Sequence, residues 1–232
     1  NKDKNNKVRQ RLLKIRAKKV ILATGALERP LIFNNNDRPG IMLSSAVKEY
    51  ADFFGVKCGE KNVFFTNNDS AYESALCLYN KGIKVDAIID IRNNSNSKIV
   101  KAVEQIGIQI YWSHTVVDTN GYRRLNNISI MKLSNDGMTV TGDRINISCD
   151  CLGVAGGWTP AVHLFTQSGG KLKFDEDNNV FLPNKYPSDQ ISVGSCNGNF
   201  NLKEIINELS IKLKEFLKIN KTDFDNIAIE SE

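Results

Sequence analysis

The apolar positions of this chain change rhythm several times, and each rhythm predicts a different element. Leu13, Ile15 and Ala17 alternate with Lys14, Arg16 and Lys18, the period of a strand with one wet face. Lys19-Val-Ile-Leu-Ala-Thr24 is a continuous apolar run ending at Gly25, as a strand buried on both faces would be. Together they predict a hairpin over residues 7–25, its first strand near Arg9–Arg16. A loop bearing Pro30, Pro39 and Gly40 follows, then a helix from Ser44 or Ser45 to about Phe54, one of the serines serving as its cap.

The next stretch alternates strand and helix. Strands are predicted at Asn62–Phe65, Lys84–Ile89 and Ile108–Trp112, and helices at Asp69–Lys81, stopped by Gly82, and Ser97–Ile106, stopped by Gly107. That order implies a parallel sheet with right-handed crossovers. Residues 115–150 read as antiparallel strands at Tyr122–Leu133, Met138–Val140 and Arg144–Asp150, with turns at Asn120-Gly121 and Asn135-Asp-Gly137. Residues 151–200 have loop and short-strand character. Leu202–Leu217 is an amphipathic helix with a stripe of Ile205, Ile206, Leu209, Leu213, Phe216 and Leu217, and the tail after Lys218 is expected to fray.

Composition narrows the classes. The 232 residues are 41% hydrophobic, enough for a real core or two small ones. No run approaches the roughly 20 apolar residues of a membrane span, and no apolar segment of signal-peptide type opens the chain, so a cytoplasmic protein without a membrane partner is expected. The first residue is Asn and a strand pattern begins almost at once, which points to a segment of a longer polypeptide. The net charge of +5 is concentrated near the start, at Lys2, Lys4, Lys7, Arg9, Arg11, Lys14, Arg16, Lys18 and Lys19. Their alternation with apolar residues favours a solvated strand face over nucleic-acid binding. Cys58, Cys77, Cys149, Cys151 and Cys196 contain no C-x-x-C. Reduced thiols, mostly buried, are therefore expected, without a metal site or a disulfide-reductase centre.

Four motifs carry candidate chemistry. Ala23-Thr-Gly25 ends a buried strand where backbone can approach a ligand closely. An Ala-Thr-Gly of this kind, with Arg29-Pro30 shortly after, occurs in two-dinucleotide-domain flavoproteins near the dinucleotide's ribose and pyrophosphate. Thr66-Asn-Asn-Asp-Ser-Ala71 stands at the strand-to-helix turn where a working Rossmann fingerprint needs glycines. Side chains at Thr66 and Asn67 would fill the pyrophosphate's space, while asparagine's tolerance of positive φ would preserve the turn. Asp90, at the ribose-acid position, then reads as a surface carboxylate near Arg92, and the domain as having kept the fold and lost the ligand. Gly153-Val-Ala-Gly-Gly-Trp-Thr-Pro160 provides a loop free to approach a neighbour, and His163 after it reads as structural. Finally Ile191-Ser-Val-Gly-Ser-Cys-Asn-Gly198 leads from strand through a glycine turn to a helix N-terminus, an anion-binding arrangement with free N–H groups.

The runs Lys19–Pro30, Asn35–Ala46 and Phe65–Tyr72, with Gly156–Pro160 and His163–Lys171, closely resemble the alpha subunits of heterotetrameric sarcosine oxidases, from about residue 8 to about 217. The resemblance implies an α/β, two-dinucleotide-binding-domain flavoprotein-like fold: a Rossmann-type inserted domain plus part of the main dinucleotide-binding domain. The expected organisation is residues 1–55 and 151–220 as the partial main domain, 56–150 as the inserted degenerate domain with its antiparallel strands, and 221–232 as a flexible tail. The family's subunit is much longer, holds NAD in its main site, and works with beta, gamma and delta subunits. Sarcosine is oxidised on FAD in the beta subunit, and electrons pass to FMN at the alpha–beta interface, where oxygen becomes peroxide.

Carried onto this chain, Thr24 and Gly25, with Gly194, Ser195, Cys196, Asn197 and Gly198, would line the NAD site. The family's acid before that last turn is replaced by Ser195 or a neighbour, and no residue maps to substrate oxidation. Two readings stay open beside this one: a subunit of a related amine or amino-acid dehydrogenase of the N-methylglutamate type, and a non-catalytic interaction module.

Overall fold

The computed structural model describes residues 10–217. Within them the chain forms two compact units, the chain passing from one to the other between Ala26 and Leu27 and again between Thr159 and Pro160. In chain order the elements are β1 (Val20–Leu22), β2 (Ala26–Glu28), β3 (Ile41–Leu43), α1 (Ser44–Asp52), β4 (Asn62–Thr66), α2 (Ser70–Asn80), β5 (Val85–Asp90), α3 (Lys98–Gln105) and β6 (Gln109–Trp112). There follow β7 (His114–Asn120), β8 (Asn127–Leu133), β9 (Val140–Ser148), β10 (Cys151–Ala155), β11 (Trp158–Pro160), α4 (His163–Gln167), β12 (Lys171–Asp175), β13 (Val180–Lys185), β14 (Gln190–Ser192) and α5 (Leu202–Leu217).

The unit of residues 27–159 is built on a five-stranded sheet of order β3-β10-β4-β5-β6, parallel throughout. The predicted strand–helix alternation of residues 62–112 is present. Side chains alternate across this sheet. Phe64 and Ile88 face a core with Val47, Tyr72, Leu78, Val100 and Val103 from the three helices. Val63, Phe65, Ala87 and Ile89 face the opposite way, into a core with Val116, Leu125, Ile128 and Ile130. Most of this second group belongs to the antiparallel sheet β7-β8-β9. A fully buried side chain of this size contributes about 1.5–3 kcal/mol, so both faces are strongly held.

Several expectations change. Cys151–Ala155, in the stretch expected to be loop and short strand, is a short strand with a central place: β10 lies between β3 and β4, all five residues buried. Its glycine is required by packing, since a Cβ at Gly153 would stand 2.5 Å from the Phe64 ring. Because β3, α1 and β10 complete this sheet, the division at 26/27 and 159/160 replaces the expected boundaries at 55/56 and 150/151. The strand expected at Arg9–Arg16 is absent over residues 10–16. Ala17-Lys-Lys19 offers no turn residue to fold it back, and β1 pairs instead with β14, in parallel. Neither Ser44 nor Ser45 caps α1 with its side chain. Ser44 Oγ bonds Ser74 Oγ at 2.8 Å, and the Ser45 N–H and Oγ both reach Glu28 Oε2, at 2.9 and 2.5 Å. The antiparallel region gains β7, and its last two predicted strands join into β9. Lys2, Lys4, Lys7 and Arg9, and the tail at 221–232, lie outside the described residues.

The second unit pairs β1 with β14 in parallel, Val20 opposite Gln190 and Leu22 opposite Ser192. It also holds the β12–β13 hairpin, α4 and α5, whose bounds are those the apolar stripe predicts.

Candidate functional site

Pairing β1 with β14 in parallel puts both carboxyl ends at the same edge. Thr24 and Gly25 leave one strand there, and the turn Gly194–Gly198 leaves the other. In open parallel α/β sheets this edge is where ligands bind. The link is direct: the Val193 N–H donates to Leu22 O at 3.0 Å, and Cys196 Sγ lies 3.2 Å from Leu22 O and from Val193 O. Thr24 Oγ1 donates to Ala161 O at 2.7 Å. Gly25 has φ +72° and open space where a Cβ would be, so its backbone is accessible to a close approach. Gly194 and Cys196 are buried, whereas Ser195, Asn197 and Gly198 are half-buried. The seven residues singled out by sequence thus sit on two adjacent turns.

The turn is not the free anion cradle that its sequence predicts. Gly194–Asn197 forms a single 3-10 turn, and the Gly194 N–H donates to Glu208 Oε2 at 3.1 Å. Asn197 Nδ2 donates to Glu208 Oε1 at 2.6 Å, and Lys212 Nζ stands 2.6 Å from the same oxygen. Lys212 also donates to Ser192 O at 3.1 Å, and Tyr186 OH lies 3.0 Å from Asn197 Oδ1. Burial pushes the Glu208 carboxyl up, but the bonds from Lys212, Gly194 and Asn197 together hold it below the usual range. The start of α5 is satisfied separately by Asn201 Oδ1, which accepts from the Lys203 and Glu204 N–H groups. Sequence reasoning missed Glu208, Lys212 and Tyr186. Glu208 lies fourteen residues from Gly194 and looks like any charged position on an amphipathic helix.

The second nucleotide-type turn, at Thr66–Asp69, is closed by its own side chains. Thr66 Oγ1 accepts from the Asn68 N–H at 3.0 Å and lies 3.2 Å from Ala155 O. Asn68 Nδ2 donates to Ala155 O at 3.2 Å, and Asn68 Oδ1 accepts from Ser70 N–H and Oγ at 2.9 and 2.6 Å. Asn68 therefore satisfies the first N–H of α2 from the residue before its N-cap, Asp69, which makes no side-chain cap bond. No residue of this turn has positive φ, so the asparagines act through side-chain bonds and not through a left-handed backbone.

Asp90 is not a surface carboxylate, because it is fully buried. It accepts from Tyr72 OH at 2.8 Å and Arg92 Nη2 at 2.7 Å through one oxygen, and from the Arg92 N–H at 2.9 Å through the other. Arg92 Nη1 also meets Asp69 Oδ1 at 2.8 Å. An acid committed inward on all these bonds has nothing left for a ribose hydroxyl.

The glycine pair of the third motif does meet a neighbour. The Gly156 N–H donates to Arg29 O at 2.6 Å, and the Arg29 N–H to Gly157 O at 2.8 Å. A Cβ at Gly156 would lie 2.8 Å from Pro30 O. Pro30, Leu31, Phe33, Asn36, Ile41, Met42, Leu43 and Val154 line an apolar cavity of about 240 Å³. His163 is exposed in the first turn of α4. All five cysteines are free thiols, three of them buried, and burial pushes Cys151 up to about 12. Among the described residues, no His, Cys, Asp or Glu group could hold a metal ion, and no helix is long and apolar enough to cross a membrane.

Solved structures share this architecture. Thioredoxin reductase from T. acidophilum superposes with a TM-score of 0.62 at 16% identity, over 87% of this chain and 64% of that one. An HOCl-induced flavoprotein disulfide reductase from Escherichia coli gives 0.63 at 17%, over 88% and 45%. L-proline dehydrogenase from P. horikoshii gives 0.55 at 22%, over 88% and 36%. At these identities the likeness is one of fold: α/β, of the two-dinucleotide-domain flavoprotein kind. No family model matches the sequence. Among curated relatives, sarcosine oxidase subunit alpha of Corynebacterium sp. (strain P-1) is 40% identical over 194 residues, 83% of this chain and 20% of that protein. The subunit of the same name from Rhizobium meliloti (strain 1021) is 36% identical over 174 residues, 75% of this chain and 16% of that protein. The chain spans about a fifth of the length of the curated relatives it matches, and over that span it belongs to the family of sarcosine oxidase alpha subunits.

Proposed function

We propose that this chain is a segment of the NAD-binding alpha subunit of a heterotetrameric sarcosine oxidase, in which it forms one wall of the NAD site and part of the subunit scaffold. The observation that carries this reading is the placement of Thr24-Gly25 beside Gly194–Gly198 at the carboxyl ends of two paired parallel strands, in a chain 40% identical to a sarcosine oxidase subunit alpha. The residues suit a cofactor wall, because Gly25 leaves its backbone open to a close approach and a glycine-bearing turn stands next to it. Thr24, Gly25, Ser195, Asn197 and Gly198 would face the dinucleotide, while the buried Gly194 and Cys196 hold the turn to β1 from behind. A bound NAD supplies hydride-transfer chemistry. This chain's residues bind and shape, and none of them is catalytic.

The reading that the inserted unit has lost its dinucleotide is supported by its own bonds: Asn68 is engaged with Thr66 and Ala155 O, and Asp90 with Arg92. In this reading the oxidative demethylation of sarcosine to glycine, with peroxide formed, belongs to the assembled cytoplasmic enzyme with its beta, gamma and delta subunits, its FAD and its FMN.

The test is to denature the purified full-length subunit and identify the dinucleotide released. One NAD per alpha subunit is expected, and no peroxide from sarcosine with the 232-residue chain alone. Release of FAD in place of NAD, or peroxide from the isolated chain, overturns the reading.

A further inference from the structure

A turn that carries a dinucleotide's phosphate needs an unclaimed donor, and the donor at the head of this turn is claimed. The Glu208 carboxylate takes the Gly194 N–H through one oxygen and the Asn197 amide through the other. Lys212 balances its charge at 2.6 Å while holding Ser192 O, the last residue of β14. Four points of the strand-to-turn segment, Ser192 O, Gly194 N, Asn197 Nδ2 and Asn197 Oδ1, are therefore tied by Glu208, Lys212 and Tyr186. The Glu208 side chain is 15% exposed, so these charge-assisted bonds are shielded from competing water. Such a bond is stronger than its neutral counterpart, and leaving a buried N–H unpaired carries its own penalty.

We infer that Glu208 is the resident anion of the Gly194–Gly198 turn, a positioning residue that fixes the turn for NAD and reserves its Gly194 donor, so that this N–H is not offered to a dinucleotide phosphate. This rests on the NAD-site reading above and adds to it. The carboxylate that organises the site lies on the following helix, not in the loop before the turn. Removing Glu208 has two consequences. The turn loses its anchor, and the vacated place, with the Gly194 N–H, the Asn197 amide and Lys212 around it, becomes a receptor for a small carboxylate.

The experiment uses the full-length subunit in its oxidase carrying Glu208→Ala, with the NAD dissociation constant measured in chloride and in formate at equal ionic strength. Roughly ten-fold weaker NAD binding is expected in chloride, with recovery in formate, while the unsubstituted enzyme responds equally to both salts. Glu208→Gln, which keeps the shape and an oxygen acceptor but not the charge, is expected to fall between the two. Unchanged NAD affinity in Glu208→Ala overturns the inference, and so does a loss that formate fails to restore while Glu208→Gln remains folded. An unsubstituted subunit that holds no NAD defeats the NAD reading instead. The anion place is then judged alone, by whether formate raises the melting temperature of Glu208→Ala and not that of the unsubstituted protein.

Discussion

Each unit of this molecule contains a strand that runs through a short turn towards a helix, and the two turns solve one problem in opposite ways. At Gly194–Gly198 the backbone bends through left-handed glycines, φ +74° and +86°, and a carboxylate from the following helix fills the anion position. At Thr66–Asp69 there is no left-handed residue. Thr66 and Asn68 bond across the turn and to Ala155 O, and the acid at the next strand end is locked to Arg92 and Tyr72. The topology of a nucleotide-binding turn is thus separable from its chemistry. What distinguishes the two turns is which side chains consume their polar groups: a carboxylate of the following helix at one, and the turn's own Thr66 and Asn68 at the other.

The strongest way to break this contrast is Arg92→Ala. Asp90 would keep only the Tyr72 hydroxyl and the main-chain N–H of residue 92, with its charge still buried. Removing one member of such a pair costs about 3–5 kcal/mol, a large share of a domain's stability. Chemical denaturation should show that loss, and Asp90→Asn in the same background should recover part of it by removing the stranded charge. A loss under about 1 kcal/mol would mean that the carboxylate finds water, and Asp90 would no longer count as locked.

Asn68→Ala probes the turn itself and should act more weakly. It deletes the acceptor of the Ser70 N–H and the bond to Ala155 O, at about 1 kcal/mol, read as a lowered melting temperature. Asn68→Asp should cost less, because it keeps an acceptor for the Ser70 N–H at the start of α2. Neither variant should gain NAD binding by calorimetry, since Asp90 and Arg92 remain engaged with each other.

Much of the fold was legible in sequence because it is written in local signals. The bounds of α5 follow from its stripe. Gly82 and Gly107 mark the ends of α2 and α3, and Ser97 caps α3 by accepting from the Val100 N–H. Thr24-Gly25 and Gly194–Gly198 each carry a local signal too, a glycine turn at a strand end. What escaped is what depends on distant partners. The run Cys151–Ala155 is short and apolar, and nothing local says that it slots between β3 and β4. The alternation at residues 13–18 has the period of a strand but pairs with no strand among the described residues. Glu28, Glu208 and Asp90 are three acids whose neighbours in sequence reveal neither burial nor bonding. Their roles come from groups brought together only by the fold.

Glu28 gives the finest version of the comparison, because it and Glu208 each accept a main-chain N–H yet shift in opposite directions. Glu208 is held low by Lys212 and its two other donors. Glu28 is 9% exposed, and burial raises it above its ordinary 4.5 against the two bonds from Ser45. Its second oxygen, Oε1, has no hydrogen-bond partner among the described residues. The folded state therefore holds the Glu28 proton to higher pH than the unfolded chain does. The contribution of Glu28 to stability is fully present below about 4.5 and is lost as pH rises through its raised folded value. Glu208 runs the other way: its contribution is present above its unfolded value and fades as pH falls through its lowered one. Glu28→Gln removes the buried charge and keeps an acceptor for Ser45, so it should stabilise the protein at neutral pH by up to about 1 kcal/mol. That gain should shrink to nothing in acid, as urea unfolding across the range would show. If Glu28→Gln were destabilising at neutral pH, the N-terminus of α1 would be holding Glu28 ionised. The two acids would then differ in degree and not in sign.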